Sequence, residues 1–237
     1  MNLVRRIWRE CLWHFVTKTL FLLFATGSRI RVTYYHEIPK HCGFILASNH
    51  ISHFDPPIIT PRFPRRIDWI AMSDLFRGRI LNGFFSGLNV IPIERNLPDR
   101  GALRIAVKQL KEGRVVGIFP EGGIRDGAAS IINGAEMKQG VSLLSTLANA
   151  PIVPCVILGS DRLYNLRNWL PWRRPEVWIG YGKPIPPPKG VADGDKKEST
   201  QKLLSSEIVK LKERLCEDFG LTEADLPHPP KERMKEP

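Results

Sequence analysis

The chain has 237 residues, 43% of them hydrophobic, enough to bury one large core and to point to a single domain. Its 35 lysines and arginines outnumber 24 acidic residues, giving a formal charge of +11 and an isoelectric point near 9.8, so an anionic partner is favoured: nucleic acid, lipid headgroups or a phosphorylated metabolite. The basic residues are diffuse, with no zinc-finger spacing, RNA-binding aromatic signature or basic zipper, which argues against nucleic acid; the 4 cysteines contain no CxxC pair, so free thiols are expected.

Residues 3–24, LVRRIWRECLWHFVTKTLFLLF, hold no proline or glycine and read as a helix. A helical projection through Thr17 gathers Leu3, Val4, Ile7, Trp8, Cys11, Leu12, Phe15 and Val16 on one half, and Arg5, Arg6, Arg9 and Glu10 on the other. Lys18 interrupts an apolar stretch that is already short of the ~20 residues a spanning helix needs. The expectation for residues 1–28 is therefore an amphipathic helix lying in the membrane interface, arginines toward anionic headgroups. A short span, a core-packing helix and a cleaved leader are the alternatives.

Seven short apolar runs follow: RIRVTYY (29–35), GFILAS (43–48), DWIAM (68–72), NVIPI (89–93), VVGIF (115–119), IVPCVIL (152–158) and VWIGYG (177–182). Such runs suit strands buried on both faces. Helical patterns at 74–86, 99–112 and 138–149 alternate with them, which predicts an α/β fold with a largely parallel or mixed central sheet flanked by helices. The proline-rich piece at 183–195 reads as a linker into a charged helix that docks through Leu203, Leu204, Ile208, Leu211 and Leu215. From Thr222 onward the polar, proline-containing tail is expected to be disordered.

Two stretches carry chemistry. In NHISHFDPP (49–57), His50 and Asp55 would lie about 140° apart around a helix axis, so they meet only if the segment bends. Pro56 supplies the bend, disfavouring helical geometry at Asp55 and itself fitting the first position of a helix. A strand ending at Ser48 then puts both side chains at the carboxyl edge of a sheet, where ligands of open α/β sheets sit. Asp55 accepting a hydrogen bond from one ring nitrogen fixes the tautomer and leaves the other nitrogen to take a proton. The competing reading is that Asp55 merely caps the helix. His53 is assigned no role, and a metal site from His50, His53 and Asp55 lacks any further ligand cluster. In IFPEGGIRDG (118–127), a strand running into Pro120, Glu121, Gly122 and Gly123 exposes backbone amides to a ligand, with Arg125 offering a planar fork for phosphate. Arg95 and Lys138 are two more cations placed after a strand and before a helix; a surface charge is the ordinary reading of each.

In order, NHISHFDPP, NVIPIER, FPEGGIRDG and PIVPCVI make the chain resemble the glycerolipid acyltransferase family that includes the bacterial lysophosphatidic acid acyltransferases, over roughly residues 43–185. The resemblance implies a catalytic domain over 29–185 that moves a fatty acyl group from coenzyme A or acyl carrier protein to a lysophospholipid hydroxyl, lysophosphatidic acid first among acceptors. Glycerol 3-phosphate, another lysophospholipid or a non-phosphate lipid are alternative acceptors, and a catalytically idle membrane-binding relative is the alternative outside enzymology. It also implies His50 as general base and Asp55 as its partner, matching the HxxxxD motif, and Arg95 on the acceptor phosphate. Glu121 and Gly122 match the family's FPEG block and, with Gly123 next to them, are expected to bind substrate; Lys138 and Gly140 stand where the family often has a lysine and a glycine. The family usually reads FPEGTR; here Gly123 replaces the threonine, Ile124 the arginine, and Arg125 comes one residue later. No metal or cofactor is implied, since the thioester co-substrate is already activated. The implied partners are the two substrates and the lipid surface, at the cytoplasmic face of a membrane.

Overall fold

In the computed structural model, which describes residues 3–94, 99–170, 172–188 and 194–235, the seven apolar runs pair into one sheet. They are β1 (Arg29–Tyr34), β2 (Phe44–Ser48), β3 (Ile67–Met72), β4 (Ile91–Ile93), β5 (Val115–Ile118), β6 (Ile152–Leu158) and β7 (Glu176–Tyr181), in the order β1-β7-β6-β2-β5-β3-β4. From β6 through β4 the neighbours run parallel; β7 pairs antiparallel with β6 and parallel with β1, so the α/β sheet is mixed at one edge.

Every residue of β2 and β6 is buried, because helices cover both faces of the sheet. Side chains alternate between those faces. Ile45 and Ala47 of β2, with Val156 and Leu158 of β6, join a core made with α4 (Arg100–Lys111), α5 (Gly140–Ala148) and α6 (Gly194–Phe219). On the other face Phe44, Leu46, Cys155 and Ile157 pack with Phe24 of α1 (Leu3–Gly27) and with Ile58 and Ile59 of α2 (Asp55–Ile59). The expected docking of the charged helix is observed through Leu204, Ile208, Leu211 and Leu215, all buried, while Leu203 stays exposed.

Two expectations need correction. The helical pattern over 74–86 is not one helix: a 3-10 turn at Ser73–Phe76 precedes α3 (Arg79–Gly87), and Gly78 between them sits at φ 85, which a continuous helix forbids. The described part of the tail, residues 222–235, is structured as well. Thr222 and Asp225 form a reciprocal capping box, α7 (Pro230–Arg233) follows, and Arg233 is buried in an ion pair with Asp161. Polar composition suggested disorder because the buried carboxylate that compensates Arg233 lies 72 residues away in sequence. In the proline-rich piece, Ile185 is buried and bridges to Ile152, while 189–193 lie outside the described residues.

The first helix sits on the domain partly through its charged half. Arg9 donates to the Ser86 carbonyl at 3.2 Å and Glu10 pairs with Arg66 at 3.0 Å, while Trp8 and Leu12 close over Gly87. Leu3, Val4, Ile7 and Phe15 remain between 54% and 70% exposed. Among the described residues, no helix is long and apolar enough to cross a membrane.

Candidate active site

Strand order builds the site. β2 lies between β5 and β6, all three parallel, so the segments that leave their carboxyl ends meet at one edge of the sheet. From β2 come Asn49 and His50, from β5 Glu121 and Gly122, and from β6 Ser160.

The bend after β2 brings His50 to Asp55. The His50 ring presents Nδ1 to Asp55 Oδ2 at 2.8 Å, with the imidazole side chain 17% exposed and the carboxylate fully buried. The same Oδ2 accepts the backbone N–H groups of Ile51 (2.8 Å) and Ser52 (2.9 Å), and Oδ1 accepts the hydroxyl of Ser160. A buried carboxylate is tolerated only when its lone pairs are taken up like this. The capping alternative fails: α2 starts at Asp55 itself, one residue before the expected Pro56, and no side chain caps its N-terminus. One face of the imidazole stacks on Phe119, centroids 4.1 Å apart at 18°, and Phe119 stacks in turn on Trp69 at 4.8 Å and 5°. The ring is thus held at its Nδ1 edge and on one face. No hydrogen bond from a described residue engages Nε2.

His53 points elsewhere. Its Nδ1 lies 2.6 Å from the Tyr164 hydroxyl, and its side chain is exposed. Among the described residues no group of three or more His, Cys, Asp and Glu side chains is arranged to hold a metal ion.

Glu121, expected on the substrate, faces into the chain. Oε2 accepts the His50 backbone N–H at 2.5 Å; Oε1 accepts the Ser130 hydroxyl at 2.7 Å and the Ile131 N–H at 2.9 Å. Burial pushes this carboxyl above the ordinary glutamate range, against the pull of those hydrogen bonds. Its position makes it a tie between the turn after β5 and the turn bearing His50. A second tie runs beside it, from the Arg125 N–H to the His50 carbonyl at 2.8 Å.

The cations flank the glycine turn. Gly122 has φ +68, and a Cβ there would collide with the Lys138 side chain, which crosses over it; Lys138 is itself held by its N–H to the Pro120 carbonyl at 2.9 Å. The Arg125 guanidinium lies beside Gly123 and, among the described residues, donates to the neighbouring Ile124 carbonyl at 3.1 Å. Arg95, beyond the carboxyl end of β4, lies outside the described residues.

Sequence reasoning missed Asn49, Ser130 and Ser160. Asn49 is buried and exchanges two hydrogen bonds with Ile157, 2.9 Å to its carbonyl and 2.8 Å from its N–H, extending the pairing of β2 with β6 past Ser48. Its adjacency to His50 is a signal only in hindsight. Ser130 and Ser160 sit in stretches with no distinguishing pattern.

Residues 29–158 match the sequence model of a family described as Acyltransferase. A curated protein of Bacillus subtilis named 1-acyl-sn-glycerol-3-phosphate acyltransferase is 25% identical over 151 residues, covering 62% of this chain and 72% of its own length. A protein of the same name from Borreliella burgdorferi is 30% identical over 149 residues, 62% of this chain and 56% of its own. The crystal structure of the 1-acyl-sn-glycerophosphate acyltransferase PlsC from Thermotoga maritima superposes with a TM-score of 0.60 over 88% of this chain and 81% of that one; at 22% identity the likeness is one of fold.

Proposed function

This chain belongs to the acyltransferase family, and from that premise we propose that it transfers a fatty acyl group from a coenzyme A or acyl carrier protein thioester to the free hydroxyl of lysophosphatidic acid, giving phosphatidic acid. The observation that carries this reading is the contact between His50 Nδ1 and the buried Asp55 carboxylate. It fixes the tautomer with the proton on Nδ1, so that Nε2 is the basic nitrogen. The names of the curated relatives support the acceptor.

In this mechanism the acceptor hydroxyl gives its proton to His50 Nε2 as its oxygen bonds to the thioester carbonyl carbon. Asp55 stabilises the imidazolium that forms. The tetrahedral intermediate collapses with cleavage of the carbon–sulfur bond, and the thiolate leaves with the proton returned by Nε2. No acyl-enzyme and no cofactor enters the balance. A positioned base of this kind contributes about 10²–10⁴ in rate. Arg125 and Lys138, beside the turn that holds His50, and Arg95 beyond β4 supply positive charge for the acceptor phosphate. Arg125 takes the part that the family gives to an arginine one position earlier.

The substrates are lipids, and the surface of the molecule suits docking at a bilayer. Leu3, Val4, Ile7 and Phe15 of α1 and Ile80, 86% exposed on the adjacent α3, present apolar side chains to the outside. The chain's net charge of +11 favours anionic headgroups at about 1 kcal/mol per basic residue near the surface. The side of the bilayer in this reading is the cytoplasmic face.

The test is a panel of acceptors offered to the purified protein with acyl-CoA or acyl carrier protein thioester, with products identified by mass spectrometry. Phosphatidic acid formed from lysophosphatidic acid well ahead of other products is expected. Faster acylation of glycerol 3-phosphate, another lysophospholipid or an alcohol without phosphate replaces the acceptor assignment; absence of acylation from every acceptor with either donor rejects the reading.

A further inference from the structure

Among the described residues the Asp55 carboxylate engages in four hydrogen bonds, three of them within its own turn, with His50, Ile51 and Ser52. The fourth comes from Ser160, 105 residues away, and is the contact of the carboxylate with the far side of the site. Ser160 opens the 3-10 turn Ser160–Tyr164, which follows β6 through Gly159 at φ +81. A Cβ on Gly159 would meet the Glu176 carbonyl at 2.5 Å, so the chain turns sharply there and the Ser160 hydroxyl is aimed by whatever holds the turn.

The turn is anchored by Leu163, buried in the sheet core, and by the Tyr164 hydroxyl, which accepts the His53 N–H at 3.1 Å; its first residues are held by the C-terminal segment. Asp161, fully buried, accepts Arg233 Nε at 2.6 Å and the His228 N–H at 3.0 Å on Oδ2. Arg162 donates to Asp225 Oδ1 at 2.6 Å and to the Ala224 carbonyl at 3.1 Å. Arg233, with its side chain 4% exposed, also donates to the carbonyls of Leu226 (2.8 Å) and Ala224 (3.3 Å), so one guanidinium gathers the tail against the turn. Consecutive residues thus serve opposite sides: Ser160 the buried carboxylate beside the imidazole, Asp161 and Arg162 the tail.

We propose that the segment 222–235 is a positioning element for the reaction, with Arg233 acting through Asp161 to hold the Ser160 hydroxyl on Asp55. The inference rests on the reading of His50 and Asp55 as the catalytic pair. Arg233 touches no reacting atom. Its effect falls on the orientation of Asp55, and so on kcat, rather than on substrate affinity, because small displacements at a positioned base cost rate steeply.

The experiment is a double-mutant cycle on the full chain, read by steady-state acylation of lysophosphatidic acid and by thermal melting. Arg233→Met and Ser160→Ala are each expected to lower kcat about ten-fold with both KM values within two-fold of the parent, and the double variant to be no slower than Ser160→Ala alone, since both changes cut one link. Arg233→Lys, which keeps the charge on Asp161 but loses the fork to the tail carbonyls, is expected to be intermediate. Ser160→Thr, which keeps the hydroxyl, is expected to stay within three-fold of the parent. A folded Arg233→Met with parental kcat, or losses that multiply in the double variant, overturns the proposal. Should Arg233→Met fail to fold, the same cycle run with Arg233→Lys decides it: independent, multiplying losses overturn the proposal, and masking by Ser160→Ala supports it. His50→Ala in the same assay separates the two levels. A silent Arg233 with an inactive His50→Ala sinks only the tail's role, whereas an active His50→Ala sinks the catalytic reading beneath it.

Discussion

Asp55 shows how a single residue can be assigned only once its partners are known. A carboxylate before two prolines reads equally as a helix cap or as the partner of His50. Its four hydrogen bonds and complete burial decide for the second. Asn in its place presents an amide that can no longer hold the right tautomer, so Asp55→Asn should lose about 10²–10⁴ in kcat, as should His50→Ala. His53→Ala, by contrast, should stay within about three-fold in the same assay, its exposed ring being bonded to Tyr164. Gly122→Ala is expected to cost about 1 kcal/mol or more of stability in chemical denaturation, since its φ of +68 and the overlying Lys138 both exclude a Cβ. Free thiols were expected from the spacing, and their reactivity is set by burial. Cys155, wholly enclosed and pushed up to about 12, should resist a thiol reagent at pH 8 until the protein unfolds, while exposed Cys11 and Cys42 react at once.

At the scale of elements, local pattern located the strands well because each is a short apolar run bounded by turn residues, and the seven observed strands differ from the expected ones only at their ends. The stretch over 74–86 misled because its helical spacing of apolar residues continues across Gly78, where the backbone reverses into a conformation no helix admits. The last long helix illustrates the opposite case. Its leucines repeat at helical spacing, and Leu215 closes directly over Gly180 of β7. Leu215→Ala should therefore lower stability by about 2–5 kcal/mol in denaturant titrations, with kcat near the parent's well below the melting temperature, since the helix lines the far side of the sheet core and not the Asp55 turn. In α1 Arg9 and Glu10 reach back to Ser86 and Arg66 and Trp8 and Leu12 close over Gly87, which leaves Leu3, Val4, Ile7 and Phe15 outward. Replacing Leu3, Val4 and Ile7 together by serine should reduce co-flotation with phospholipid vesicles several-fold without changing the melting temperature by more than a few degrees.

For the whole molecule, charge and topology act at different ranges. The net charge of +11 acts over about a Debye length, so vesicle binding should rise with the fraction of anionic lipid and weaken between 50 mM and 500 mM salt. Binding indifferent to both would show that charge has no part in docking. The strand order β6-β2-β5, in contrast, acts at hydrogen-bond range: it gathers residues from positions 50, 121 and 160 around one carboxylate and one imidazole. The amino-acid sequence by itself determined the α/β class, the bend between His50 and Asp55, the glycine turn after β5 and the basic, apolar-faced first helix, because these depend on spacing, turn chemistry and composition within a few neighbouring residues. The tertiary structure alone decided that Glu121 turns inward to His50, that Ser160 completes the shell of Asp55, and that Arg233 orders the tail. Each of those joins groups 71 to 105 residues apart whose desolvation is compensated only by a partner that no local pattern specifies.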